Sequence, residues 1–186
     1  MGDEKKKGGF GVVKLLVYLV LFLGLVAGGV YLYGRAQPEE HMAGPKTRDV
    51  KRWPIACYEA VANVQEHPKW CSMIKEVRDY KKEGDKLSYV CVLTDGTELI
   101  STMELGFKPK EIVWKVRDSR NDFTGTWTFK FDEAGEAKTK VSLTEIGRIE
   151  SPLMRAMFAL FADMEKSVNT FLDDLKKKVE GDKPST

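Results

Sequence analysis

Between Ser151 and about Glu180 the apolar residues Leu153, Met154, Met157, Phe158, Phe161, Met164, Val168, Phe171, Leu172 and Leu175 recur at steps of three and four. That spacing puts nearly all of them on one stripe of a single long amphipathic helix. Arg155, Asp163, Glu165, Lys166, Asn169, Asp173, Asp174 and the lysines 176–178 fall mostly on the other side. Ser151-Pro152 supplies an N-cap and a first-turn proline, the lysines suit the negative end of the helix dipole, and Gly181 follows as a stop. Burying about ten such side chains stabilises by roughly 1.5 to 3 kcal/mol each before entropy is charged. A stripe of this size must be covered, and the rest of the chain is read as what covers it.

The preceding segment is a series of strands. Val77–Lys82, Leu87–Leu93, Glu98–Gly106, Ile112–Arg117, Phe123–Phe131 and Ala137–Ile146 are rich in β-branched and aromatic residues and alternate at period two. Phe123, Gly125, Trp127, Phe129 and Phe131 share one face of the clearest of them. Asp95-Gly96 and the Gly84 and Gly135 clusters mark hairpin turns. Lys46–Arg52 is a first strand of poor alternation. Trp53-Pro54 opens a helix with Ile55, Tyr58, Ala62 or Val61, and Val64 on one face, Glu66–Trp70 breaks it, and a short helix or turn follows through Cys71, Met73 and Ile74. Hairpin-length connections make the sheet antiparallel, and strands followed by a helix give an α+β domain. A sheet of six or seven twisted strands curls, and the long apolar helix is the natural filling for its concave side. Space left beside that helix would be lined by aromatics and methionines, a composition suited to an apolar small molecule.

The amino-terminal segment is of another kind. Leu15–Tyr33 is uncharged and apolar, LLVYLVLFLGLVAGGVYLY, and about 19 residues at 1.5 Å each match a hydrocarbon core of about 30 Å. No small-x-small cleavage site follows, so the segment reads as an uncleaved membrane anchor. The expected organisation is a short polar tail at 1–11, a transmembrane helix at 12–34, a linker at 35–45, the domain at 46–181 and a tail at 182–186. Lys5, Lys6 and Lys7 favour a cytoplasmic amino terminus, against the more dispersed Arg35, Lys46, Arg48, Lys51 and Arg52 on the other flank. This places the domain on the non-cytoplasmic side. Gly24 and Gly28 form a GxxxG pair through which two such helices could associate weakly as a homodimer.

Charge and motifs exclude several functions. Of 30 basic and 28 acidic residues, Lys5, Lys6, Lys7 and Lys14 against Asp3 and Glu4 account for the net +2, so the chain from Arg35 onward is balanced and no nucleic-acid surface is indicated. Cys57, Cys71 and Cys91 show no CxxC spacing and read as small apolar residues, with a Cys57 to Cys71 bridge open to them in an oxidising compartment. The sequence lacks HExxH, GxSxG, a P-loop and a dinucleotide-binding glycine loop, and neither a metal nor a cofactor is expected. His41, in the linker, and His67, beside Pro68, read as solvated or capping residues. Glu104 and Glu145 read as outer-face or rim carboxylates, Asp95 as a turn residue and Arg148 as a surface arginine.

The helix-turn YEAVANVQEHPKW, the strand GTWTFKF, the late strand KTKVSLTEIG and the closing helix SPLMRAMFALFADMEKSVNTFLDDLKK together resemble the START-related, helix-grip (SRPBCC) superfamily over about Glu40 to Glu180. Within it the likeness is to the polyketide cyclase/dehydrase and lipid-transport type proteins, in a membrane-anchored form. The resemblance implies a helix-grip fold with a hydrophobic cavity between sheet and final helix. Tyr89, Met103, Trp114, Trp127, Phe129, Met154, Met157, Phe158, Phe161 and Met164 would line it, and no catalytic residue is identified. The function implied is binding or transfer of a lipid-like molecule beside the bilayer. Two alternatives use the same fold: a cyclase/dehydrase-type enzyme, which needs a buried polar group of shifted pKa, and a protein-interaction module with a filled core.

Overall fold

The computed structural model describes residues 9–161 and 163–181, without the side chains of Gly9, Phe10 and Met164. The polar tail with Lys5, Lys6 and Lys7, residue 162 and the tail at 182–186 lie outside the described residues. The elements, in order, are α1 (Gly9–Ala36), β1 (Glu40–Val50), α2 (Pro54–Ala62), a 3-10 turn (Val64–Glu66), α3 (His67–Trp70), six strands, and helices α4 (Pro152–Phe161) and α5 (Met164–Gly181). The strands are β2 (Ile74–Glu83), β3 (Lys86–Leu93), β4 (Glu98–Leu105), β5 (Glu111–Asp118), β6 (Phe123–Glu133) and β7 (Thr139–Ile149). They form one antiparallel seven-stranded sheet in the order β1-β7-β6-β5-β4-β3-β2.

Two compact units result. The chain up to Pro38 together with Ser151–Phe161 forms one, and Glu39–Glu150 with the chain from 162 onward forms the other. The first holds α1 and α4, and the second holds the sheet, α2, α3 and α5. The single long helix expected from Ser151 is therefore two. Its apolar period runs unbroken through the sequence, but α4 ends at Phe161 and Asp163 caps α5, its side-chain oxygen accepting the Lys166 backbone N–H at 3.1 Å. Ser151 caps α4 as expected, through Met154 N–H at 3.4 Å.

In the second unit α5 buries Val168, Phe171, Leu172, Leu175 and Val179, one stripe at helical spacing, against the inner face of the sheet. That face carries Leu87, Met103, Ile112, Trp114, Trp127, Phe129, Phe131, Val141 and Leu143, all buried, as the alternation of β3 to β7 requires. From α2, Cys57, Tyr58 and Val61 join the core, while Ile55, expected on the buried face, is exposed.

The first strand differs most from expectation. It begins at Glu40, so half of the expected linker is sheet and only Gln37–Glu39 separates it from α1. Its poor alternation has two causes. The register slips between Ala43 and Lys46 at Gly44-Pro45, which reverses the inward phase. Its charged residues then face α5: Arg48 Nε donates to Asp173 at 2.7 Å, Lys46 pairs with Glu165 at 2.9 Å, and Lys176 Nζ donates to the Asp49 carbonyl at 2.6 Å. Asp174 anchors the helix elsewhere, accepting both Ser72 N–H at 2.8 Å and Ser72 Oγ at 2.6 Å. The stretch 67–70, expected to break a helix, is itself one helical turn, and of the short helix or turn expected through Cys71, Met73 and Ile74 the structure has the turn, at Ser72 and Met73, leading into β2.

Phe171 is fully buried among the largest core side chains. Phe171→Ala is expected to cost about 3 to 5 kcal/mol, measured by urea unfolding of the full chain in detergent with tryptophan fluorescence as the probe. A cost below about 1 kcal/mol would show that α5 does not hold the sheet closed.

Candidate ligand site

Cross-strand register sorts the inner face of the sheet into rows. One row reads Leu87, Met103, Trp114, Trp127, Glu145, Ala43 from β3 to β1. The next reads Tyr89, Ser101, Val116, Gly125, Gly147, His41. The first is wide and aromatic. The second is narrow in the middle, and two rings lie over its glycines: a side chain on Gly147 would run into the His41 ring, and one on Gly125 would press on Phe123 and Val116 at 3.1 Å. His41 and Phe123 stack at 6.3 Å.

Over the aromatic row sits Phe171. Its ring lies 5.3 Å from Phe129 and from Trp70, 5.5 Å from Trp127, 5.9 Å from His67 and 6.0 Å from Trp114. Tyr89 lies 6.3 Å from Trp114, and His67 stands edge-on to Trp70 at 5.1 Å. The groups came together from β3, β5, β6, α3 and α5.

This interior is apolar but not without polar atoms. His67 is fully buried, and its Nε2 lies 2.9 Å from the Val61 carbonyl oxygen. An oxygen there can only accept, so Nε2 carries the proton and Nδ1 is left as an acceptor. Burial lowers the His67 pKa to about 4, which keeps the ring neutral near pH 7. Among the described residues Nδ1 has no hydrogen-bond partner, and neither do the buried Trp70 Nε1 and Trp114 Nε1, whereas the Tyr89 hydroxyl has Ser101, its cross-strand neighbour, as a partner. One acceptor and two N–H donors thus stand unpaired around one aromatic cluster, each at a cost of about 1 to 3 kcal/mol.

Two residues read as peripheral from the sequence belong to this face. Glu145 is buried, not on the rim; burial raises its pKa, and the Trp127 side chain hydrogen-bonds the carboxylate and pulls the other way. Its position was legible, since Thr139, Val141, Leu143, Glu145, Gly147 and Ile149 form one period-two series, all buried. His41 is half-buried in β1, not in a linker, and burial lowers its pKa. His67 had no such signal, because only tertiary packing buries a residue in a single helical turn. By contrast Glu104 is on the outer face, paired with Lys115 at 2.9 Å, and Arg148 pairs with Glu150 at 2.6 Å and Glu39 at 3.1 Å. The three cysteines are buried and free, so Cys57 and Cys71 form no bridge; burial pushes the thiols of Cys57 and Cys71 up to about 11 and that of Cys91 to about 12.

A groove of about 940 Å³ opens on the same unit. It is lined by Tyr58, Ala62, Tyr80, Leu87, Leu105 and Phe107 together with the polar Glu59, Asn63, Lys82, Asp85 and Lys108, and more of its surface is polar than apolar. Two of its walls continue inward: Leu87 belongs to the aromatic row, and Tyr58 meets Phe131, which stacks on Phe129. Phe107, 78% exposed on the β4–β5 connection, stands over the groove and was not foreseen, since a loop aromatic has no period to betray it.

The expected site residues therefore divide. Tyr89, Met103, Trp114, Trp127 and Phe129 are together on the inner face. Met154, Met157, Phe158 and Phe161 are on α4, in the other unit, with Met154, Met157 and Phe161 exposed. The Met164 side chain lies outside the described residues.

Comparison with known proteins finds no matching family model and no matching curated sequence. Solved structures do match. The Zhui aromatase/cyclase from a Streptomyces species superposes with a TM-score of 0.65 at 13% identity, over 75% of this chain and 94% of that one. A START superfamily protein from Mycobacterium smegmatis gives 0.56 at 16%, over 77% and 96%. The di-domain ARO/CYC BexL of the BE-7585A biosynthetic pathway gives 0.61 at 15%, over 95% of this chain and 62% of that one. The chain has the helix-grip fold. In helix-grip terms α5 is the gripped helix and the row from Leu87 to Ala43 is the palm beneath it, so the unpaired polar atoms lie where sheet and helix face each other.

His67 sets a pH signature for this helix-grip core. Its folded pKa of about 4 lies below the ordinary 6.5, so the unfolded chain takes up the proton first and stability falls as pH drops from about 6.5 to about 4. The loss is expected to reach roughly 3 kcal/mol. Glu145, with its pKa raised, acts in the opposite sense, favouring the fold at low pH and losing that contribution as pH rises through its folded value. Unfolding of the wild type and of His67→Gln between pH 7 and pH 4 checks this: the variant should be less stable at pH 7 but show the flatter profile.

Proposed function

We propose that this helix-grip chain binds an apolar, ring-containing small molecule bearing hydroxyl or carbonyl oxygens, and holds it beside a membrane. The observation that carries the reading is the set of polar atoms unpaired among the described residues, His67 Nδ1, Trp70 Nε1 and Trp114 Nε1, within an aromatic interior. Aromatic walls favour rings by stacking and burial, and sparse donors and acceptors fix orientation. A purely hydrocarbon guest would leave those atoms unsatisfied. The groove over Tyr58, Leu87 and Phe107 is the entrance in this reading. Such molecules partition into lipid, and α1, from Gly11 to Ala36, is long and apolar enough to cross a bilayer. The connection between α1 and β1, Gln37–Glu39, is three residues long, so a chain anchored through α1 holds its binding domain on a short tether. The proposal places the domain on the non-cytoplasmic side, following the lysine cluster, with weak pairing through Gly24 and Gly28. Both glycines have open space around them in the single chain.

A second reading, ring-closing or dehydrating catalysis of the kind named for the aromatase/cyclase neighbours, is favoured by Glu145. It is a buried carboxyl of raised pKa on the inner face, the sort of group acid/base chemistry needs.

The binding reading is tested on the full chain in detergent micelles, by thermal stability and tryptophan quenching against fatty acids, quinones and polyphenols. Quinones or polyphenols should raise the melting temperature and quench fluorescence, and Trp114→Phe should weaken them about 2- to 10-fold while leaving hydrocarbon chains unaffected. Stabilisation by none of the three classes would overturn it. Turnover of a polyketide-like precursor lost in Glu145→Gln, with binding retained, would move the reading to the enzyme.

A further inference from the structure

Helix α4 has no polar residue on its outward arc. At 100° per residue, Pro152, Arg155, Ala156 and Ala159 fall on one side, and Leu153, Met154, Met157, Leu160 and Phe161 on the other. The first side meets α1. Arg155 and Ala156 are buried, Arg155 Nη1 donates to the Gln37 carbonyl at 3.2 Å, and the backbone of Pro152 comes so close to Gly34 that no side chain would fit there. Val30, Gly34 and Gln37, spaced along one face of α1 and its exit, are its less exposed residues. The second side is bare: Leu153 is 54% exposed, Met157 46%, Leu160 55% and Phe161 76%.

An isolated surface helix of this composition would collapse onto protein or aggregate. Here the bare arc adjoins the end of a helix whose own side chains, Leu25, Tyr31, Leu32 and Tyr33 among them, are exposed and apolar. The two form one continuous apolar surface. We infer that α4 is a second membrane contact: it lies at the exit of α1 with Leu153, Met157, Leu160 and Phe161 in the acyl region, and its partner is the lipid bilayer. The one cation on the helix, Arg155, is turned onto the Gln37 carbonyl and away from that arc. Glu150 and Asp163, just outside the helix, mark where the chain leaves the apolar layer. The inference rests on reading α1 as the membrane span.

Spin labels test it on the full chain in phosphatidylcholine vesicles. Labels go at Met157→Cys and Leu160→Cys on the arc, Leu19→Cys in the middle of α1, and Lys130→Cys on the exposed face of β6; the native cysteines are buried. Collisions with oxygen, which concentrates in lipid, are compared with those of a water-soluble nickel chelate. The inference expects labels at Met157 and Leu160 to lose nickel collisions and keep oxygen collisions, as at Leu19, while Lys130 shows the reverse. Nickel access at Met157 and Leu160, with Leu19 in lipid, overturns the inference and leaves the span standing. Protection from both reagents at those two sites overturns it in favour of protein contact. Nickel access at Leu19 as well removes the span and the inference together.

Discussion

The contact between Phe171 and the aromatic row of the sheet is what the domain depends on. A seven-stranded antiparallel sheet with one face apolar cannot remain open to water, and α5, the longest helix described in this unit, closes it with help from α2 and α3. Phe171 is the residue at which helix, β5, β6 and α3 meet, within about 6 Å of five rings. Ion pairs then settle how the helix lies: Arg48 with Asp173 and Lys46 with Glu165 tie it to β1, and Asp174 ties it to Ser72. These pairs are partly exposed and add little each. Their value is orientation, since apolar contact is non-directional and charge pairs are not.

Polar atoms inside such a contact are a cost that packing alone does not offset. Replacing Trp70 and Trp114 by phenylalanine would remove two unsatisfied N–H groups at the loss of some packed volume. In the proposed binding reading, these groups and the inward carboxyl of Glu145 are what an oxygen-bearing guest would meet.

The other unit follows different physics. In α1 and α4 the large apolar residues point outward and the charged Arg155 points in, the reverse of the order in the sheet domain. In the proposed reading of α1 as a membrane span, both arrangements obey one rule, that each side chain faces the medium that solvates it. The break at Asp163 makes the inversion possible, because it frees ten residues of the apolar stripe from the helix that grips the sheet.

Much of this was legible. The period-two runs located β3 to β7 and their inward faces, the heptad-like spacing of Val168, Phe171, Leu172 and Leu175 located the gripped stripe, and the uncharged run before Gly34 located α1. Glu145 was on the inward phase of its strand and could have been read there. What the sequence by itself determined is which residues are apolar at which period, and therefore the elements and the side each must bury, because periodicity is a local property of the chain. Tertiary structure alone decided that β1 starts at Glu40 as a charged edge strand, that the apolar stripe serves two units, and that His67 is sealed among tryptophans. Those outcomes depend on which surfaces meet, and a residue's partners across the fold leave no periodic trace in its neighbours along the chain.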